Sequence, residues 1–213
     1  MPDGPTLDVR ISLRRREIHL SIDESFGPGF SALVGPSGIG KSSLVAAIAG
    51  VLTPDAGRIA LGAAVWFDRA RGIDVPAHAR RVGVVFQGLA LFPHLTVAEN
   101  VGYGVPRALP REVRARRVAE ALATTRAEHL AARRTRTLSG GEAQRVAIAR
   151  ALATDASVLL LDEPLAALDE ALRAELLAML RARVASRPVP VVYVTHRLDE
   201  AEALGARVVR LAG

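Results

Sequence analysis

The sequence predicts an α/β fold built on a largely parallel sheet. Three observations carry this. Short apolar runs of strand length, Phe30–Val34, Val82–Phe86, Val158–Leu161 and Val191–Thr195, are separated by longer stretches with helical character. These runs lack polar alternation, as expected of strands covered on both faces. A glycine-rich turn joins the first of them directly to a helix, the strand–turn–helix order of an α/β layer.

Taken in order, Leu7–Ser12 and Glu17–Ile22 alternate apolar and polar residues and read as half-buried strands. Phe30–Val34 ends in glycines and leads to Ser42–Ala49, a helix rich in Ala, Leu, Val and Ile. Thr53–Gly57 reads as a turn, Arg58–Leu61 as a short strand, and Val82–Phe86 as a buried one. From Gly88 to Leu138 the character changes. A Pro- and Gly-marked segment gives way to the Arg-rich helix Pro110–Ala123, so 88–138 is expected to be an inserted helical lobe. Pro110 suits a helix start because its missing N–H has no helical partner there. Ser139–Ala153 reads as a helix and Val158–Leu161 as a strand. In the helix Asp169–Ser186, Leu172, Leu176, Leu180 and Val184 recur every four residues on one face, and Val191–Thr195 is again a buried strand. Residues 1–213 are expected to form one domain, in which 1–87 and 139–213 make the core with its N-terminal β part.

Composition narrows the function. Half of the residues are hydrophobic and only 4% aromatic, so the core must be aliphatic. There is no cysteine, which removes disulfides, thiolate metal sites and cysteine nucleophiles. No uncharged apolar run approaches the roughly 18 residues that span a bilayer. Met1–Arg10 carries Asp3 and Asp8 without a signal core, so a cytoplasmic protein is expected, with any membrane role exerted through a partner. The net charge is +6, but the basic residues are almost all arginine and are spread along the chain. This reads as compositional bias, and no direct contact with nucleic acid is expected. The one lysine is Lys41.

That lysine completes Gly35-Pro36-Ser37-Gly38-Ile39-Gly40-Lys41-Ser42, which fits G-x-x-x-x-G-K-[ST] between a strand and a helix, with Ser43 following. Glycines let backbone N–H groups curl around phosphate oxygens, and the helix N-terminus adds free donors. Lys41 supplies a point charge for the β- and γ-phosphates and Ser42 a hydroxyl for Mg²⁺. A chance match in a chain this long is on the order of one per cent.

Val158–Asp162 is an apolar run ending in a carboxylate, with Glu163 next. Asp162 is expected to hold Mg²⁺ through its water shell, and Glu163 to orient and polarise an attacking water. His196 follows the strand Val191–Thr195 on the same expected sheet edge, and Gln87 ends Val82–Phe86. His196 could bond a γ-phosphate; Gln87 could reach Mg²⁺ or the water. Leu138-Ser139-Gly140-Gly141-Glu142, with Gln144 and Arg145 after it, opens another helix. Ser139 and Glu142 have capping-box spacing, and the two glycines add a second anion site by the same physics. One nucleotide does not need two such sites, so pairing of two chains is suggested.

With these motifs in place, the sequence resembles the ATPases of ABC transporters over nearly its whole length. Gly35–Ser42 is similar to their phosphate loop, Leu138–Glu142 with Gln144 to their signature motif, and Gln87 to the Q-loop glutamine. Asp162 and Glu163 match the magnesium aspartate and catalytic glutamate, Ala167-Leu168-Asp169 the D-loop, and His196 the switch histidine. The resemblance implies a P-loop cassette with an antiparallel N-terminal β subdomain and a helical subdomain. It also implies a head-to-tail dimer with two ATPs at the interface, each held by one chain's phosphate loop and the other's Ser139–Gly141. The motor would sit on the inner face of the membrane and drive permease subunits, with a substrate-binding protein acting indirectly. Pro76–Gln87 and Leu91–Asn100 resemble bacterial anion importers, and Arg71–Asp74 the molybdate importer subunit. Gly88–Val101 is then the expected permease-docking surface. Many members stack adenine on an aromatic residue before the phosphate loop, whereas Ile11–Glu17 offers Leu13 and three arginines. Molybdate subunits commonly continue into a small β-rich regulatory domain. The chain given stops at Gly213, so feedback by bound anion is expected to be lost or to lie on another chain. The competing readings are non-transport relatives. Repair members usually split the motor with a long coiled coil, and translation members usually carry two motors. An inactive binding module is opposed by the intact Lys41, Asp162, Glu163 and His196.

Overall fold

The computed structural model describes residues 4–15 and 18–211. Met1–Asp3, Arg16, Glu17 and Gly213, on which parts of the sequence reading fell, lie outside the described residues. Two five-stranded sheets organise the described residues.

The first is antiparallel, in the order β2-β1-β4-β5-β6, built from β1 (Leu7–Arg15), β2 (Ile18–Phe26), β4 (Ala56–Leu61), β5 (Ala64–Asp68) and β6 (Ile73–Asp74). The alternation in β1 sends Leu7, Val9, Ile11 and Leu13 inward, and all four are buried. Leu13 therefore belongs to the core and offers no surface to a nucleotide base. Strand β4 starts earlier than expected, at Ala56, because Gly57 can lie against β1. Its φ is +101°, and a Cβ there would meet the Arg10 carbonyl at 2.0 Å.

The second sheet is wholly parallel, in the order β10-β3-β9-β8-β7, with β3 (Gly29–Val34), β7 (Val82–Val85), β8 (Val158–Asp162), β9 (Pro190–Val194) and β10 (Arg207–Arg210). Every residue of β8 and β9 is buried, which is why those segments read as continuous apolar runs. Helix α1 (Lys41–Ala49) packs against this sheet on the side of the first one. Helix α5 (Glu170–Ser186) covers the other side through Leu176, Leu177, Leu180 and Val184, with Leu172 only partly buried. Helix α6 (Leu198–Leu204) adds Leu204 to the same cluster.

Helices α2 (Val97–Gly102) and α3 (Arg111–Thr124) form a separate cluster around Val97, Val101 and Leu122. Helix α4 (Gly140–Ala153) serves both cores. Ala147, Ile148, Ala151 and Leu152 enter the sheet core, while Val146, Ala149 and Ala153 complete the helical one. Strands β5, β6 and β10 and helix α6 were not expected. All are short, which leaves little periodicity to read; β5 and β6 are hairpin returns from their neighbours, and β10 pairs with the distant β3.

A buried arginine fixes the rear of α1. Arg80 is 1% exposed and donates to the Ala47 and Ile48 carbonyls at 2.8 and 3.1 Å, to the Val75 carbonyl at 2.7 Å and to Asp74 at 3.0 Å. These bonds serve carbonyls at the helix end, of which Ala47's also accepts from the Gly50 N–H at 3.1 Å. Burial holds the guanidinium pKa below its usual value, against the opposing pull of Asp74.

Candidate functional site

The parallel sheet gathers the expected residues at the carboxyl ends of its strands, where open α/β sheets bind ligands. The phosphate loop leaves β3 and enters α1 through Gly38 and Gly40, both left-handed at φ +81° and +104°. Gly40 caps α1 without a side-chain bond, and no acidic residue occupies the first turn. The N–H groups of that turn are thus neither capped nor countercharged, the condition for taking an anion. Lys41 is buried and folds back over the loop, donating from Nζ to the Gly35 and Pro36 carbonyls at 2.8 Å each.

Asp162 ends β8 and is 2% exposed. Burial raises its pKa, and the Glu163 charge adds to that; the Ser42 side chain and the Lys41 charge oppose it. Ser42 and Asp162 therefore face one another, a hydroxyl and a carboxylate suited to a hard cation. Among the described residues no group of three or more His, Asp or Glu could hold a metal ion unaided. The pair fits Mg²⁺ only if nucleotide oxygens and water complete its shell.

Glu163 has a positive φ of +48° and donates its N–H to the Val194 carbonyl at 3.0 Å. The parallel register Asp162↔Val194 sets β9 beside it, so His196 reaches the same edge. Nδ1 of His196 lies 3.6 Å from Oε1 of Glu163. Gln87 is exposed two residues beyond Val85, whose register partner is Leu161. Leu89 and Ala90 follow it in left-handed conformation, and Arg150 of α4 donates to both of their carbonyls at 2.7 Å.

The second anion-site candidate stands apart within the chain. Ser139 caps α4 in a full capping box: its hydroxyl accepts from the Glu142 N–H at 3.3 Å, and Glu142 accepts from the Ser139 N–H at 2.7 Å. Ser139 and Gly140 are exposed, and Gly140 and Gly141 pack against Ala167 and Leu168 rather than against Gly35–Ser43. Gln144, quoted only as part of a motif in the sequence, is buried and bonded to the backbones of Glu163 and Ala167. A glutamine two residues after Glu142 gives no sequence signal of that reach.

An uncapped helix start behind a glycine loop, with a buried aspartate and a neighbouring glutamate on the adjoining strand, defines a P-loop nucleotide-binding protein. The ABC transporter family model matches residues 26–166, and the chain belongs to that family. It is 44% identical over 194 residues to the molybdenum import ATP-binding protein ModC of Paramagnetospirillum magneticum, covering 91% of this chain and 53% of that protein. It is 45% identical over 210 residues to ModC of Mycobacterium tuberculosis, covering 96% and 57%. The chain thus spans little more than half the length of these relatives. Among solved structures, the dimeric MJ0796, a bacterial ABC transporter cassette, superposes with a TM-score of 0.82 at 29% identity, covering 97% of this chain and 93% of that one. A second structure of that cassette, in a post-hydrolysis state with ADP and Pi, fits equally well.

Proposed function

We propose that this chain binds and hydrolyses ATP as the motor of an ABC import system for molybdate or a related oxyanion. The observation that carries the reading is the convergence of Lys41, Asp162, Glu163 and His196 at one sheet edge. The likeness to ModC proteins supports the cargo.

In this reading the N–H groups of Gly35–Ser43 and the Lys41 ammonium bind the triphosphate. Ser42 and Asp162, with Gln87, would hold Mg²⁺, which supplies charge neutralisation on the phosphate oxygens. The Glu163 carboxylate orients a water and takes its proton, and His196 donates toward the γ-phosphate. Ser139–Gly141, with Ser139 and Gly140 exposed and the glycines seated on Ala167 and Leu168, serves the nucleotide of a second copy. That requirement makes the working unit a dimer, and the dimeric cassette neighbour is consistent with it.

No helix among the described residues is long and apolar enough to cross a membrane, so transport needs permease subunits. Segment 88–138 would form the helical lobe, with Gly88–Val101 as the docking surface. Phe92 and Leu95 are half-buried there, and the exposed Tyr103 ring lies tilted against that of Phe92, their centroids 4.4 Å apart. The test is reconstitution with the permease in vesicles: ATP-dependent molybdate uptake is expected. Hydrolysis without uptake of molybdate, tungstate or sulfate would remove the cargo assignment.

A further inference from the structure

We propose that Gln144 is a positioning residue that locks the Glu163 carboxylate and the Ala167–Asp169 loop to the exposed helix start at Ser139–Gly141. The inference rests on the hydrolytic role proposed for Glu163.

Gln144 lies one turn into α4 and is 4% exposed. Both ends of its amide are used. Nε2 donates to the Glu163 carbonyl at 3.0 Å, and Oε1 accepts from the Ala167 N–H at 2.8 Å. These two bonds fix the amide orientation, since the reverse would set donor against donor and acceptor against acceptor. No other side chain of this length can satisfy both groups.

The bond to Glu163 matters because that residue is strained. A non-glycine residue at φ +48° is strained and persists only where neighbours over-determine it. Here Val194 takes the N–H and Gln144 takes the carbonyl. Without Gln144 the carbonyl keeps only the longer bond from the Ala166 N–H at 3.4 Å, so the peptide is held more loosely and the carboxylate with it.

The bond to Ala167 closes a loop of contacts. A Cβ at Gly141 would lie 3.4 Å from the Ala167 carbonyl and 3.3 Å from Leu168. The start of α4 is therefore seated on the same segment that Gln144 holds. A displacement of Ser139–Gly141 must move Ala167 and Glu163 together. A nucleotide engaged in trans by one chain would thus set the hydrolytic carboxylate of that same chain, linking the two sites of a dimer.

Two variants of the 213-residue chain test this. Gln144→Met keeps the length and loses both bonds. Gln144→Glu keeps the acceptor for Ala167 and turns an oxygen toward the Glu163 carbonyl. Both are expected to lower kcat by about tenfold to a hundredfold, the effect of a small misplacement of a catalytic group, with KM close to the parent. Because each leaves a buried group unpaired, kcat is read well below the Tm of each variant. In the Glu163→Gln background, Gln144→Met should add no further loss. In the nucleotide-free chain, amide exchange across 163–168 should quicken in Gln144→Met. A kcat within twofold of the parent overturns the proposal, as does a loss that tracks falling Tm or multiplies that of Glu163→Gln. If Gln144→Met does not fold, Gln144→Glu carries the same criteria. A parent chain without ATP hydrolysis overturns the proposed function, and this inference with it.

Discussion

Nδ1 of His196 stands 3.6 Å from Oε1 of Glu163, one strand end facing the next. The pair is near enough to share a water or a phosphate oxygen and too far for a direct hydrogen bond. Glu163→Gln preserves shape and removes the carboxylate. Hydrolysis should fall by roughly 10²–10⁴, and an ATP-bound dimer should accumulate. Steady-state turnover and size-exclusion chromatography with ATP check this, and near-parental turnover rejects Glu163 as the base.

The absence of cysteine permits a clean crosslinking test of the composite site. Cysteines introduced as Ser37→Cys and Ser139→Cys in the Glu163→Gln chain should crosslink between copies when ATP is present. Crosslinks that form only within one chain, or that ignore ATP, would refute pairing across the dimer.

Lys41 is buried with its two hydrogen bonds to loop carbonyls. Lys41→Ala should weaken ATP binding at least tenfold, about 1.4 kcal/mol, as read by titration with a fluorescent analogue. An unchanged affinity contradicts the phosphate-loop assignment.

The docking surface predicts a separation of functions. Phe92→Asp and Tyr103→Asp place a charge on the ring pair beside α2. Transport in reconstituted vesicles should be lost while ATP binding is retained. Full transport in both variants would move the docking surface elsewhere.

Asp155 joins the sheet to the end of α5, pairing with Arg187 and, at 2.9 Å, with Arg81. The Arg187 hydrogen bond, then the Arg187, Arg81 and Arg117 charges, hold its carboxyl below the usual range. For a lowered carboxyl, the stabilisation is present above the unfolded pKa of about 3.9 and is lost as pH falls through the folded value. Asp155→Asn should cost about 1 kcal/mol at pH 7, or roughly 2–4 °C in Tm, with the gap shrinking as pH falls below the unfolded value. A gap that is constant with pH excludes the ion pairs as its cause.

The core of the fold was legible because buried parallel strands advertise themselves. Val158–Leu161 and Val191–Thr195 have no polar residue before their ends, and the phosphate loop sits between a strand and a helix by motif alone. The short strands β5, β6 and β10 were not legible: β5 and β6 are hairpin returns of five and two residues, too short for an alternation to show, and β10 pairs with β3 from far away in sequence. The burial of Leu13 shows the limit at the site. Sequence pattern placed it before the phosphate loop, but only the sheet register decides which face it takes. Gln144 and Arg150 escaped notice for a related reason. Their partners are backbone atoms of Glu163, Ala167, Leu89 and Ala90, and backbone partners leave no trace in residue identity.

Having a single lysine makes the protein its own reporter. Apart from the α-amino group, the only primary amine is the one folded over the Gly35 and Pro36 carbonyls. An acylating reagent aimed at amines would therefore read loop occupancy as one mass increment beyond that of the α-amino group, present in the free chain and withheld when a triphosphate covers Nζ.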